Sequence, residues 1–250
     1  MRPRLPVSGT ASARSATWWR DYVSDAAHGP LPALLLALTV ATGLVDAVSI
    51  LSMGRVFVAN MTGNVVFIGF ALAGAPGFSL AASLVALAGF LVGARFGGIV
   101  VHRFESNRGV LLRNVVAVEL VLVASAAVLT AVASTPFGSG VRDATVALMA
   151  VGLGLQNAAA RRLAVADITT TVLTMTLTGI AADMPSRDLK VASRRSLSVT
   201  AMLVGALVGA LLILDVSVAS AMCAASGVIA SVLVGATVAT RHDSPWRTGA

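Results

Sequence analysis

Two short polar runs interrupt an otherwise apolar chain: Ala59-Asn60-Met61-Thr62-Gly63-Asn64-Val65 and Ala166-Asp167-Ile168-Thr169-Thr170-Thr171-Val172. Their hydroxyls, carboxamides and single carboxylate are groups that hydrogen-bond a polar solute or hold a cation. Matching pieces precede each run, Gly43-Leu44-Val45-Asp46-Ala47 before the first and Gly154-Leu155-Gln156-Asn157-Ala158 before the second. The chemistry on offer is therefore binding and ion exchange at Asp46, Asn60, Thr62, Asn64, Gln156, Asn157, Asp167, Thr169 and Thr171. A carboxylate inside a membrane usually faces a cavity or a partner, so Asp46 or Asp167 would carry a proton or cation if transport is coupled. Glu119 is a third acid at depth, without a repeat motif around it, and Arg95 either snorkels to an interface or pairs with Asp46 or Glu119.

Catalytic patterns are sparse. His28, His102 and His242 show no metal-ligand spacing, and no serine has a neighbouring His or Lys base. Cys223 is the single cysteine, so no disulfide or cysteine-ligated cluster forms within one chain. No cofactor, no metal and no enzymatic role are expected.

The elements that must position these residues are set by solvent. Of 250 residues, 57% are hydrophobic and 12% charged, with a mean hydropathy of +0.89, so most of the surface faces lipid. Eight uncharged or nearly uncharged stretches of spanning length follow: 31–53, 56–73, 78–101, 111–133, 144–160, 165–182, 197–214 and 216–239. Four fall in each half. The distance from Gly43 to Gly154 is 111 residues, from Ala59 to Ala166 it is 107, and from Val92 to Val204 it is 112. Those offsets describe a repeat of about 110 residues, running 31–133 and 144–239 in one membrane domain, 31–240. Residues 1–30, rich in Arg, Ser and Pro, and residues 241–250 read as cytosolic tails, the first having no apolar core of the signal-peptide kind.

The 18 basic residues test the topology. If all eight stretches cross, with the N-terminus inside, seven of them (Arg55, Arg95, Arg103, Arg108, Arg113, Arg161 and Arg162) fall outside. If the second and sixth stretches return to the side they came from, only Arg55 and Arg142 do. The excess of Lys and Arg on cytoplasmic loops favours the second arrangement. It has six crossings, three in each half, which makes the repeats inverted about an axis in the membrane plane. Each polar run then marks a broken or re-entrant segment, with non-helical backbone tolerated where protein buries it or a wet cavity receives it. Two full helices bonded through Thr and Asn remain the plainer alternative. Small residues at four-residue spacing, Gly89, Gly93 and Gly97 and then Gly205 and Gly209, predict packing seams, placed between the third and seventh stretches.

The Asn60-Met61-Thr62-Gly63-Asn64 run, with Thr42-Gly43-Leu44-Val45-Asp46-Ala47, Gly154-Leu155-Gln156-Asn157-Ala158 and Thr169-Thr170-Thr171-Val172-Leu173-Thr174, resembles the YoaK-like bacterial membrane proteins. The resemblance covers about Leu34 to Ala239 and belongs to a domain of unknown function. Met175 departs from it, standing after the Thr run where members often have Gly. It implies a polytopic protein of the bacterial inner membrane and supplies no activity. The expected fold is thus an all-α polytopic integral membrane protein with both termini cytoplasmic. The expected function is passage of a small polar or anionic solute between the two polar runs. Alternatives are a non-catalytic scaffold that binds partners through its glycine seams and, behind it, an intramembrane enzyme. The partners are the bilayer and an unnamed solute; self-association is left open, and the positive charge, spread over short loops, suits membrane orientation better than nucleic acid.

Overall fold

The computed structural model describes residues 28–165, 173–182, 189–241 and 245–248. It is all-helical, with eight α-helices: α1 (Leu31–Ser52), α2 (Met61–Leu72), α3 (Leu80–Phe104), α4 (Arg108–Val132), α5 (Ser139–Leu163), α6 (Leu173–Ala182), α7 (Leu189–Asp215) and α8 (Val218–Ala239), then a 3₁₀ turn at Pro245–Arg247. No strand occurs among the described residues. Five helices, α1, α3, α4, α7 (over Ser193–Asp215) and α8, are long and apolar enough to cross a membrane.

The sequence predicts six spanning helices, and the sixth differs for a physical reason. α5 has 25 residues, about 37 Å at 1.5 Å per residue, so length is not the obstacle. Gln156, Asn157, Arg161 and Arg162 dilute its hydropathy, yet its buried face, which includes Gln156, is fully enclosed at Val146, Met149, Ala150 and Leu153. It is an interior helix shielded from lipid by its neighbours, and needs no uniform apolar surface. α1 is similarly enclosed, 67% of its spanning window being buried against 17% for α7.

Glycine decides which helices meet. A Cβ on Gly93 of α3 would collide with the Val151 carbonyl of α5, and one on Gly154 of α5 with the Phe90 carbonyl of α3. The same pair recurs in the other half: Gly205 of α7 lies on the Val40 carbonyl of α1, and Gly43 of α1 on the Met202 carbonyl of α7. Gly97 approaches Leu155 and Ala158, as Gly209 approaches Leu44 and Ala47. Such backbone proximity gives dispersion contact where lipid supplies no hydrophobic drive. The seams therefore join α3 to α5 and α1 to α7, correcting the expected pairing of the third and seventh stretches.

These contacts also fix direction. Successive positions along α3 meet successive positions along α5, so the two run parallel, as do α1 and α7. The start of α4 meets the end of α8 through Gly109 and Thr240, and the end of α5 through Arg108 and Leu163, so α4 is antiparallel to both. The start of α1 meets the end of α8 through Leu34 and Gly235. It follows that α1, α4 and α7 point one way and α3, α5 and α8 the other. The chain from α1 to α3 thus begins and ends at one end of the bundle, and the chain from α5 to α7 at the opposite end. Arg103, Arg108, Arg161, Arg162, Lys190, Arg194 and Arg241 lie at the second of these, the basic end, whereas Arg55 and Arg142 lie at the first.

The connection from α1 to α3 contains only a short helix. α1 stops at Ser52, after which Gly54 (φ +99°) and Arg55 (φ 58°) turn the chain through left-handed backbone. Residues 55–60 are not helical, and α2 then supplies 12 residues, about 18 Å, well short of the roughly 30 Å hydrocarbon core. Outside it, Phe57, Phe67, Phe70 and Phe78 form a cluster with ring centroids 5.0–6.3 Å apart. Gly63 lets the Phe57 ring lie against α2, since a Cβ there would stand 2.5 Å from that ring and displace it.

Candidate functional site

One face of α1 is polar and buried. Thr39, Thr42, Asp46 and Ser49 follow spacings of three, four and three, which a helix stacks in a line. The hydroxyls of Thr39 and Thr42 donate to the carbonyls of Leu35 and Leu38 at 2.9 Å, and Ser49 donates to the Asp46 carbonyl at 3.0 Å. These local bonds leave the Asp46 carboxylate and the lone pairs of Thr42 to face other elements.

Asp46 turns toward the non-helical lead-in of α2. The Val58 amide donates to its Oδ1 at 3.4 Å, and the carboxylate is 5% exposed. Asn64 grips the same lead-in from the other side. Its Oδ1 accepts from the Phe57 amide at 2.9 Å, and its Nδ2 donates to the Phe57 carbonyl at 2.6 Å. Backbone groups that a helix would have satisfied internally are thus satisfied by two side chains, as burial demands. Asn64 is fully buried and is a brace for the fold.

Thr42 turns toward α5. Gln156 Nε2 donates to Thr42 Oγ1 at 3.2 Å, with both residues fully buried. One turn before Gln156 on α5 stands Gly152, and the missing side chain makes room for Glu119 of α4, whose Cγ lies 3.5 Å from where the Gly152 Cβ would be. Glu119 is also fully buried. Glu119 and Thr42 each lie eleven residues from the basic end of their helices, roughly 16 Å along the axis. Buried hydroxyl, carboxamide and carboxylate groups from α1, α4 and α5 therefore occupy the interior at similar depth. Two buried hydroxyls at the α3 and α5 ends away from the basic end, Ser83 Oγ and Thr145 Oγ1, have no hydrogen-bond partner.

Asn157 points elsewhere. It is half-buried in a cleft of ≈ 500 Å³ between α3 and α5, lined also by Phe90, Ala94, Gly98, Arg161 and Arg162. The cleft opens at the basic end, where Arg162 lies 3.9 Å from Glu105 and Arg108 donates to the Leu163 carbonyl at 2.5 Å.

The residues expected to form one site are thus divided. Asp46 and Gln156 lie on the interior polar face, bridged along α1 by Thr42. Asn60 and Thr62 are exposed on the outer side of α2, because the helix presents only Asn64 of the run inward. Asp167, Thr169 and Thr171 lie outside the described residues. Arg95 is exposed and pairs with neither Asp46 nor Glu119. Thr42 stood in the sequence as the first residue of the motif that ends at Asp46-Ala47, without a site role assigned to it. Among the described residues no group of three His, Cys, Asp or Glu is placed to hold a metal ion.

The family described as protein of unknown function, DUF1275, matches residues 34–235. Among curated proteins, the UPF0700 transmembrane protein YoaK of Bacillus subtilis (strain 168) is 34% identical over 154 residues, covering 62% of this chain and 67% of the relative. No solved structure matches the chain.

Proposed function

This chain belongs to the DUF1275 family of membrane proteins, and from that premise we propose that it passes a small polar or anionic solute across the bacterial inner membrane. The observation that carries the reading is the pair of connections, α1 to α3 and α5 to α7, that start and finish at the same end of the bundle, one from each end. In this reading the halves are an inverted repeat, and the two connections dip toward each other as the broken segments of transporters do. The basic end, holding all the described Lys and Arg residues but Arg55 and Arg142, is cytoplasmic, as are both tails in this reading.

The pathway runs along the polar face of α1. Thr42 and Gln156 offer the hydrogen-bonding groups, Asp46 offers a negative charge beside the lead-in of α2, and Asn157 with Arg161 and Arg162 forms the cytoplasmic mouth. Asp46 is the carrier of a coupled proton or cation in this reading, since an acid kept at depth in a membrane usually marks such a role and Asp46 is buried with the Val58 amide as its neighbour. Asp167, Thr169 and Thr171 belong to the same reading on their repeat position alone. The scaffold alternative relied on free glycine seams, and Gly89, Gly93, Gly97, Gly205 and Gly209 are all used within the chain.

Two measurements test this. With Cys223 replaced, single cysteines at Arg55, Ala75 and Lys190 are treated in intact cells with a membrane-impermeant thiol reagent. Labelling at 55 and 75 with protection at 190 is expected; labelling at only one of 55 and 75 would refute the topology. Proteoliposomes holding the full chain are then assayed for uptake of formate, nitrate and phosphate. Flux of at least one above the protein-free rate, sensitive to Asp46→Asn, is expected. No flux for any probe in correctly inserted protein would remove the anionic reading.

A further inference from the structure

α3 carries cations on a face that lipid must cover. Arg95 stands nine residues before Phe104, about 14 Å from the helix end, and is exposed alongside Leu91 (59%), Phe96 (55%) and Ile99 (50%). A guanidinium beside hydrocarbon is costly unless it reaches an interface or an anion. Its long stem directs it toward the basic end. What waits there is more positive charge: His102 and Arg103 line the same surface groove of ≈ 540 Å³ with Arg95, Gly98 and Ile99. The adjoining cleft, sharing Gly98, adds Arg161 and Arg162. Glu105 is the nearby carboxylate, 3.6 Å from His102 and 3.9 Å from Arg162, which leaves Arg95 and Arg103 without an ion pair among the described residues.

We propose that this groove binds the headgroup of an anionic phospholipid, with Arg95 and Arg103 holding its phosphate beside Ile99 and an acyl chain lying along Val92, Leu91 and Leu84. Three observations select a lipid over a soluble anion. The groove opens on a lipid-facing surface, its deeper cation lies well inside the span, and exposed Val92, Leu91 and Leu84 continue from Arg95 in the direction of the bilayer centre. Gly98 keeps it open, since nothing lies within 4 Å of where its Cβ would stand. Arginine suits the role because its planar fork matches two phosphate oxygens at once. Basic pockets at the cytoplasmic side of membrane proteins bind acidic headgroups in this way. The site does not need solute transport, and its cytoplasmic placement rests on the orientation proposed above.

The test is native mass spectrometry of the full chain in detergent, titrated with dioleoyl phosphatidylglycerol or dioleoyl phosphatidylcholine. Phosphatidylglycerol is expected to be retained more strongly. Arg95→Gln and Arg103→Gln should each weaken its retention about fivefold, whereas Arg142→Gln, at the opposite end, should not. Gly98→Leu should weaken it with every charge in place, and Arg103→Gln, on an exposed position, serves if changes deeper in the span fail to fold. Equal retention of the two lipids, equal loss with Arg142→Gln, or full displacement by excess inorganic phosphate would each overturn the proposal.

Discussion

The two halves of the molecule pack alike and differ in charge. Gly43 meets α7 at Met202 and Ala206, while Gly154 meets α3 at Phe90 and Ala94; each residue of the first set stands 111 or 112 positions from its counterpart in the second. The acids do not repeat. Asn157 occupies the place of Asp46, and Ala230 or Ser231 the place of Glu119. Where Asp46 receives the Val58 amide, Asn157 faces a cleft. Close helix approach tolerates no side chain, so the seams stay the same on both sides. Charge at depth is costly, so a membrane protein keeps it only where something uses it. The unequal placement of Asp46 and Glu119 is what the proposed coupling of a solute to a cation would use.

The seams give the largest expected effect. Gly93→Leu and Gly205→Leu each drive a side chain into a carbonyl of the facing helix and should cost about 3 kcal/mol or more. Unfolding in mixed micelles should show nearly equal losses. A large loss at one position with tolerance at the other would break the symmetry of the frame. Next comes the brace. Asn64→Ala leaves the half-buried Phe57 amide and carbonyl without their partner, at about 1–3 kcal/mol, while Thr62→Ala, a little over half a turn away and exposed, should be close to neutral. Equal effects would mean that α2 is held by something other than this side chain.

The asymmetry is tested by exchange. Asp46→Asn should lower solute flux about tenfold, corresponding to about 1.4 kcal/mol, while Asn157→Asp leaves it within a few-fold. If Asn157→Asp restores flux to the Asp46→Asn protein, the halves are interchangeable and the assignment of the charge to one side fails. Smaller still is the bond between α1 and α5. Thr42→Val and Gln156→Leu should each destabilise by about 1 kcal/mol and the pair together by less than their sum, since both sides of one hydrogen bond are removed. The smallest effect separates two glycines on one helix. Gly152→Ala meets its nearest atom at 3.5 Å, ordinary contact, and should change stability by less than about 0.5 kcal/mol, where Gly154→Ala meets a backbone carbonyl and should not be tolerated.

Hydropathy alone determined that the chain is an all-helical membrane protein, because burial in lipid leaves few ways to satisfy a backbone. Each of the eight stretches it marked overlaps one of the helices, although α7 begins at Leu189, eight residues before the predicted 197, and α2 at Met61, five after the predicted 56; glycine spacing marked the residues of closest approach. It did not show that the polar residues of α5 are sheltered by neighbours, and it mispaired the seams, since spacing says that a helix can be approached but not by which one. The polar run at 60–64 was legible as an interruption; that Asn64 faces inward while Asn60 and Thr62 face out depended on where α2 begins. Side-chain type fixed where polarity had to be accommodated in this protein. Only the tertiary structure decided which polar groups meet, Thr42 with Gln156 and Asp46 with Val58, because those contacts depend on the directions in which helices far apart in sequence cross.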